Sequence, residues 1–332
     1  MNYKSKIFFT GASGFIGSYF HEVLPNDQVV NLDLEEPQFK HSAYFIKGNI
    51  RNKSDIDNVL AQFACDTIIH LAAEHKDFGI AKEEYFKTNE FGTQNICEAA
   101  TKFGIKKIVF YSSVAVYGGN VTPSDEMMQP SPNLPYGASK LAGEKVLYQW
   151  AAEDKERSVL IVRPAVVYGE RNVANMFRLI EQIKAGRYFH IGEGKNVKSV
   201  AYVRNLVQAT LYLMECMKPG IAIYNYADEP QLTSRQITSI ISQSLNKKEP
   251  ITLPYWMVHT MAIPFDIAIK LTGKDLPISS NRVKKFCTET FHRADKIFST
   301  GFKPQYKNEQ GLINMVKWLN SDNFKSEAIF DV

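Results

Sequence analysis

Short apolar, β-branched runs alternate with longer stretches of helical period through the first half of the chain. Lys6 to Thr10, Gln28 to Asp33, Thr67 to His70, Lys107 to Ser112 and Val159 to Arg163 each read as a short buried strand. Ile80 to Phe103 and Tyr136 to Arg157 read as helices between them. This alternation predicts an α/β fold, a Rossmann-type doubly wound parallel sheet with helices on both faces. After Arg163 the regularity weakens, and Gly169, Gly186, Gly192 and Gly194 mark loops around further helices near Asn175 to Ala185 and Asn205 to Met217. A smaller, mainly C-terminal lobe is expected from about 169–199 and 226–332, with 1–168 and about 200–225 forming the larger domain. There is no internal repeat, and the polar tail after Asn320 is expected to be loosely held.

The longest apolar run, Tyr255 to Leu271, is interrupted by His259, Pro264, Asp266 and Lys270 and falls short of a membrane span. It reads as a packed helix pair, with contact at a membrane interface as the alternative. At 332 residues and 45% hydrophobic content, the chain can bury a full core and is not disordered. A net charge of +4, spread along the chain, does not make a nucleic-acid groove, although it suffices for a small anionic ligand. Cys65, Cys97, Cys216 and Cys287 are far apart and lack metal-ligand spacing, so no metal is expected and the thiols read as reduced, in a cytoplasmic protein. Lys4 and Lys6 leave no room for an apolar signal segment before Gly11.

Candidate chemistry begins at Gly11-Ala12-Ser13-Gly14-Phe15-Ile16-Gly17, which follows a strand and opens a helix. There glycines let a pyrophosphate approach backbone N–H groups at a helix N-terminus; a tight strand-to-helix turn is the plainer alternative. Asp33 ends the next strand, 22 residues after Gly11, where a carboxylate can accept from ribose hydroxyls and repel a 2′-phosphate. No Lys or Arg follows until Lys40, which favours NAD over NADP.

Tyr136 and Lys140 lie four apart at the start of a helix and therefore share a face. With 16 tyrosines in the chain, about one Tyr-x-x-x-Lys is expected by chance, so the context has to decide. Ser113 supplies that context, just past the strand at Lys107 to Ser112, where open parallel sheets bind ligands. A phenol of pKa near ~10 is a poor base at neutral pH. A cation about 5 Å away, at an effective dielectric of about 20, is worth about 3 kcal/mol, or roughly 2 pKa units. Lys140 would supply that charge, and Ser113 would hold the same substrate oxygen in line for hydride transfer.

Together with HLAA at His70 to Ala73, Asn89 followed by Gly92-Thr93, SSVAVYG at Ser112 to Gly118, YGASK at Tyr136 to Lys140 and RPAVVYG at Arg163 to Gly169, the glycine loop resembles the extended short-chain dehydrogenase/reductase family, in its NAD-dependent epimerase/dehydratase group. The resemblance is strong over roughly the first 215 residues and weaker beyond. It implies a Rossmann domain binding NAD through Gly11, Ser13, Gly14, Phe15, Ile16, Gly17, Asp33, Asn49, Ile50, Leu71, Ala72, Ala73, Asn89, Tyr111, Tyr136, Lys140 and Pro164. It further implies catalysis by Ser113, Tyr136 and Lys140, with Ser112 a lesser substitute for Ser113, in a homodimer formed through the helices at Ile80 to Phe103 and Tyr136 to Arg157.

The resemblance also bears on substrate. Dehydratases of the group carry an Asp-Glu pair after the catalytic hydroxyl, whereas this chain has Val114-Ala115, which leaves epimerisation, oxidation or ketone reduction. A nucleotide-sugar substrate is implied by Ser113, His75, Asn175, Met176, Lys198 and Arg282; His75 as an exposed loop residue, Asn175 as a helix cap and the two cations as solvated charges are the structural alternatives. Two departures stand out: Val166 where many relatives have a substrate-facing asparagine, and Asn49 where an acid often faces adenine. The expected activity is nucleotide-sugar epimerisation at carbon 4. A 4-keto-sugar reductase, a 3β-hydroxysteroid dehydrogenase-like enzyme and a non-catalytic NAD-binding sensor are the alternatives.

Overall fold

The computed structural model describes residues 6–39, 43–76, 79–119, 123–272 and 280–322, together with 324, 327, 329 and 330. Six strands come first: β1 (Lys6–Thr10), β2 (Val29–Asp33), β3 (Tyr44–Lys47), β4 (Cys65–His70), β5 (Lys107–Tyr111) and β6 (Ser158–Pro164). Four short strands follow, β7 (Val166–Tyr168), β8 (His190–Ile191), β9 (Val197–Lys198) and β10 (Val200–Tyr202), and then β11 (Gly220–Tyr226), β12 (Leu232–Thr233) and β13 (Thr252–Leu253). Seven of them form one parallel sheet in the order β11-β6-β5-β4-β1-β2-β3, as the alternation of strands and helices predicts.

Successive strand residues enter different cores, which is why the strands read as unbroken apolar runs. Ile7, Phe9, Val109, Leu160 and Val162 pack with α1 (Phe15–Val23) and α7 (Val203–Glu215). Phe8, Ile108, Phe110, Val159 and Ile161 face the other way, against α2 (Lys53–Gln62), α4 (Thr93–Lys102) and α5 (Pro135–Ala152). The two outer strands escape sequence reading for different reasons. β3 is a four-residue edge strand with Tyr44 and Lys47 exposed, and β11 begins on Gly220 after the segment where the pattern weakens.

A third core, built on Tyr168, Met176, Ile180, Tyr202, Ile241 and Leu312, joins α6 (Asn175–Lys184), α8 (Ser234–Ser244) and α12 (Asn308–Leu319) into the smaller lobe. The apolar run at 255–271 lies in a single helix, α9 (Tyr255–Thr272), rather than in a helix pair, because Pro264 is accommodated within it. Its partner is the separate α10 (Ser280–Cys287), through Val258, Ala262 and Val283. Nor is the tail loose throughout: the Phe330 N–H donates to the Arg171 carbonyl and its own carbonyl accepts from Val173.

Asn205, fully buried on α7, ties the sheet to the segment between α11 (Asp295–Ser299) and α12. Its amide donates to Asp228 Oδ1 and the Tyr306 carbonyl, and its oxygen accepts from the Tyr306 N–H. Asn205→Ala would strand these buried partners and is expected to cost about 3 kcal/mol of unfolding free energy, read by urea denaturation.

Candidate active site

The strand order reverses between β1 and β4, and a large cleft opens beyond the carboxyl ends of these strands, where such sheets hold ligands. It has a volume of about 920 Å³. Gly11 follows β1 with φ +78°, and a Cβ there would come within 2.5 Å of the Ala72 nitrogen after β4. Only glycine allows both that backbone angle and that approach. Gly14 caps α1 without a side chain, so the first-turn amides, which have no helical carbonyl to bond, open onto the cleft beside Phe15, Ile16 and Gly17. Gly17 is needed for packing, since a Cβ would meet the Ala12 backbone at 2.3 Å.

Asp33, at the end of β2, accepts from the Ser13 N–H at 2.9 Å and from the Leu34 N–H at 2.7 Å, and burial raises its pKa against those bonds. Glu35 and Glu36 line the same wall and add negative charge where a 2′-phosphate would sit. Asn49 and Ile50 form the adjoining wall, with the Asn49 amide oxygen accepting from the Arg51 N–H at 2.9 Å. Leu71, Ala72 and Ala73 continue the cleft from β4. The donor set fits a dinucleotide: a glycine cradle with helix amides at one point and a carboxylate for ribose hydroxyls at another.

Ser113, Tyr136 and Lys140 converge on the other half of the cleft, with Tyr111 and Pro164. Ser113 caps the 3-10 turn Val114–Tyr117 through an Ala115 N–H to Oγ bond of 3.1 Å. Gly137 lets α5 meet that turn, where a Cβ would lie 2.3 Å from the Ala115 carbonyl oxygen. Lys140 is buried; its ammonium donates to the Tyr111 carbonyl at 2.6 Å and lies 4.8 Å from the Phe110 ring centroid. Burial lowers its pKa to about 7, opposed by the Glu144 carboxylate one helical turn away. His70, beneath, bonds Thr10 Oγ1 and Thr93 Oγ1, and burial followed by the Lys140 charge lowers it to about 3, so it stays neutral.

Ser112 plays a different part from its neighbour. It is buried and donates to Glu144 Oε1 at 2.5 Å. Arg163 grips both oxygens of that carboxylate, from Nε at 2.8 Å and Nη2 at 2.5 Å, and reaches the Tyr117 hydroxyl at 2.8 Å. Tyr117 donates in turn to Asn225. This network locks α5 to β5, β6 and β11 directly behind the catalytic candidates. Its acid lies in the helix, eight residues beyond Tyr136, and nothing in the sequence pattern sets Glu144 apart from a surface acid.

The remaining candidates divide. His75, exposed, and Asn175 and Met176, at the start of α6, line the cleft. Asn89 does not: it sits in a π-helical turn, Lys87–Gly92, between α3 (Lys82–Phe86) and α4, and bonds the Glu74 backbone and Ser139, shaping the wall from behind. Lys198 lies in β9, outside the lining, and its ammonium donates to the Thr288 carbonyl at 2.6 Å. The Arg282 side chain lies outside the described residues. Sequence reading passes over Glu35, Arg51, Thr88, Ala165, Asn172, Ile329 and Phe330, all of which line the cleft. Phe330 arrives by packing near Phe15 and Phe39, a long-range contact with no local signal.

Residues 7–227 match the model of the family described as NAD dependent epimerase/dehydratase. The chain belongs to that family. Like its other members, this epimerase/dehydratase-family enzyme uses NAD. It is 41% identical over 312 residues, 93% of either chain, to N-acetyl-alpha-D-glucosaminyl-diphospho-ditrans,octacis-undecaprenol 4-epimerase of Escherichia coli O157:H7. It is 26% identical to a decarboxylating sterol-4-alpha-carboxylate 3-dehydrogenase of Candida albicans, over 94% of this chain and 97% of that one. In three dimensions it resembles the UDP-glucose 4-epimerase of Thermus thermophilus solved with NAD, with a TM-score of 0.74, 21% identity and coverage of 96% and 99%.

The family enzyme's buried ion pair yields a direct test. Arg163→Met removes the cation from the buried Glu144 carboxylate, and is expected to cost about 3–5 kcal/mol in denaturant unfolding. Adding Glu144→Leu should recover most of that loss, whereas equal losses in the single and double variants would show that the pair is not the source.

Proposed function

We propose that this enzyme is a 4-epimerase acting on a hexose or hexosamine carried on a diphosphate, the linkage shared by nucleotide sugars and by the polyprenol-linked substrate of the Escherichia coli relative. The observation that carries this is the 41% identity to that 4-epimerase along nearly the whole of both chains. The Ser113, Tyr136 and Lys140 cluster, with no acid at Val114 or Ala115, suits hydride and proton transfer at one carbinol.

Tyr136 takes the proton of the C4 hydroxyl, and Ser113 holds the same oxygen. Lys140 stabilises the phenolate through its charge, and its contact with the Tyr111 carbonyl keeps the ammonium aimed. The glycine loop, the first turn of α1 and Asp33 would hold NAD, which when bound would supply the hydride acceptor and donor. The 4-keto sugar presents its other face to receive the hydride, and Tyr136 gives the proton back, so the net reaction is inversion with no cofactor consumed. The first-turn amides at Asn175 and Met176 suit the substrate diphosphate. Of the two carriers, the polyprenol is favoured by the relative at 41% identity. In this reading the protein is a cytoplasmic homodimer packed through α4 and α5, which Phe91, 55% exposed just before α4, supports.

Turnover of UDP-N-acetylglucosamine and of polyprenyl-diphospho-N-acetylglucosamine, followed by product separation, tests the activity. The C4 epimer should form without net change in NADH absorbance; stoichiometric NADH oxidation would make the enzyme a reductase instead. Tyr136→Phe is expected to lower kcat by about 10²–10⁴ with NAD affinity retained, and unchanged turnover would remove Tyr136 as the base. Lys140→Met is expected to move the acid limb of kcat/KM upward by roughly 2 pH units, since the tyrosine then titrates without its neighbouring cation.

A further inference from the structure

The small lobe carries an apolar face that is left exposed among the described residues. Val258 and Ala262 of α9 turn inward to Val283, Leu253 and Ile191. Trp256 and Ile263, seven residues apart and opposite that buried stripe, are 70% and 43% exposed, and Met261 on the flank is 64% exposed. The stripe ends on exposed Lys270, again seven residues on. Beside α9, the β8–β13 ladder brings Ile251, 69% exposed, next to exposed Phe189, because the His190 N–H bonds the Ile251 carbonyl. A monomer seldom leaves this many large apolar side chains uncovered on one lobe without using them.

Charge identifies the occupant. Exposed Lys247 and Lys248 lie just before Ile251 in the chain, exposed Lys270 lies on α9 and exposed Lys284 on its partner α10. The described acids of the segment are engaged with the protein, Glu249 accepting from Ser239 and Asp266 from the Ser280 N–H. Along the sequence, 247–285 holds seven Lys or Arg against three Asp or Glu, a net +4 that equals the net charge of the whole chain. Exposed aromatic and aliphatic side chains on a segment of net positive charge match the chemistry of an anionic bilayer surface: tryptophan settles at the headgroup level and lysine pairs with lipid phosphate. No described helix is long and apolar enough to cross a membrane, so α9 would lie in the interface and not span it.

We propose that the α9 face, with Ile251 and Phe189, docks this enzyme onto an anionic phospholipid bilayer. Its functional meaning rests on the polyprenol-linked substrate proposed above, since a membrane-borne sugar diphosphate has to be met at the membrane. Its binding chemistry stands apart from that substrate.

The test is flotation of the full chain, loaded with NAD, on phosphatidylcholine vesicles with or without phosphatidylglycerol. Partition should be about tenfold stronger on the anionic vesicles and fall as salt rises. Trp256→Ser with Ile263→Ser should weaken it about tenfold, as should Lys247→Glu with Lys248→Glu, with NAD binding and thermal melting unchanged. Equal partition on both vesicle types, or partition indifferent to these variants, overturns the proposal. So does a Trp256→Ser, Ile263→Ser variant that splits a dimer in sedimentation velocity and leaves lipid binding intact, because a second copy then covers the face. Flotation involves no turnover, so the two proposals fail separately: epimerisation without vesicle binding sinks the docking surface, and vesicle binding without epimerisation sinks the activity.

Discussion

One carbonyl organises the site. The Thr10 oxygen at the end of β1 accepts from both the Leu71 and Ala72 N–H groups beyond β4, each at 2.9 Å. This clamp joins two strands that lie side by side in the sheet though far apart in the chain, at the point where the strand order turns back on itself. It draws the chain after β4 against Gly11, and the absence of a side chain there lets the glycine loop and the HLAA segment form two walls of one cleft. The cofactor half of the site, the first turn of α1 and the neutral His70 under Lys140 all take their positions from that approach.

Electrostatics in the catalytic half follow a related economy of space. Burying Lys140 weakens its hold on a proton, yet its charge is what a phenolate base needs nearby. The Glu144 carboxylate one turn further along α5 counters the effect of burial, and Arg163 with Ser112 holds that carboxylate in place. The helix that presents Tyr136 and Lys140 therefore also carries the group that tunes one of them. Its attachment to the sheet is the same set of bonds.

Legibility in the sequence follows the range of the interactions. The five central strands are readable because each is buried on both faces, and the glycine loop and Asp33 because a backbone turn and a strand end constrain residue type locally. β3 and β11 are not, since an edge position relaxes the apolar pattern. Glu144 looks like any helical acid until β6 brings Arg163 onto it, and Lys198 looks like a phosphate ligand until β9 turns its ammonium to the Thr288 carbonyl. Asn89 is recognisable by motif, but the π-helical turn sends its amide to the Glu74 backbone, behind the wall it shapes.

Phe330 closes the wall between the glycine helix and the loop at Arg171 to Val173, and it follows every strand of the parallel sheet in the chain by a long interval. During synthesis on a ribosome, the parallel sheet and both of its helix layers can be complete while this wall is still missing. A nascent chain thus passes through a stage with a finished sheet and an open-sided cleft. Final enclosure of the dinucleotide therefore waits on a segment made well after the sheet, and not on sheet formation.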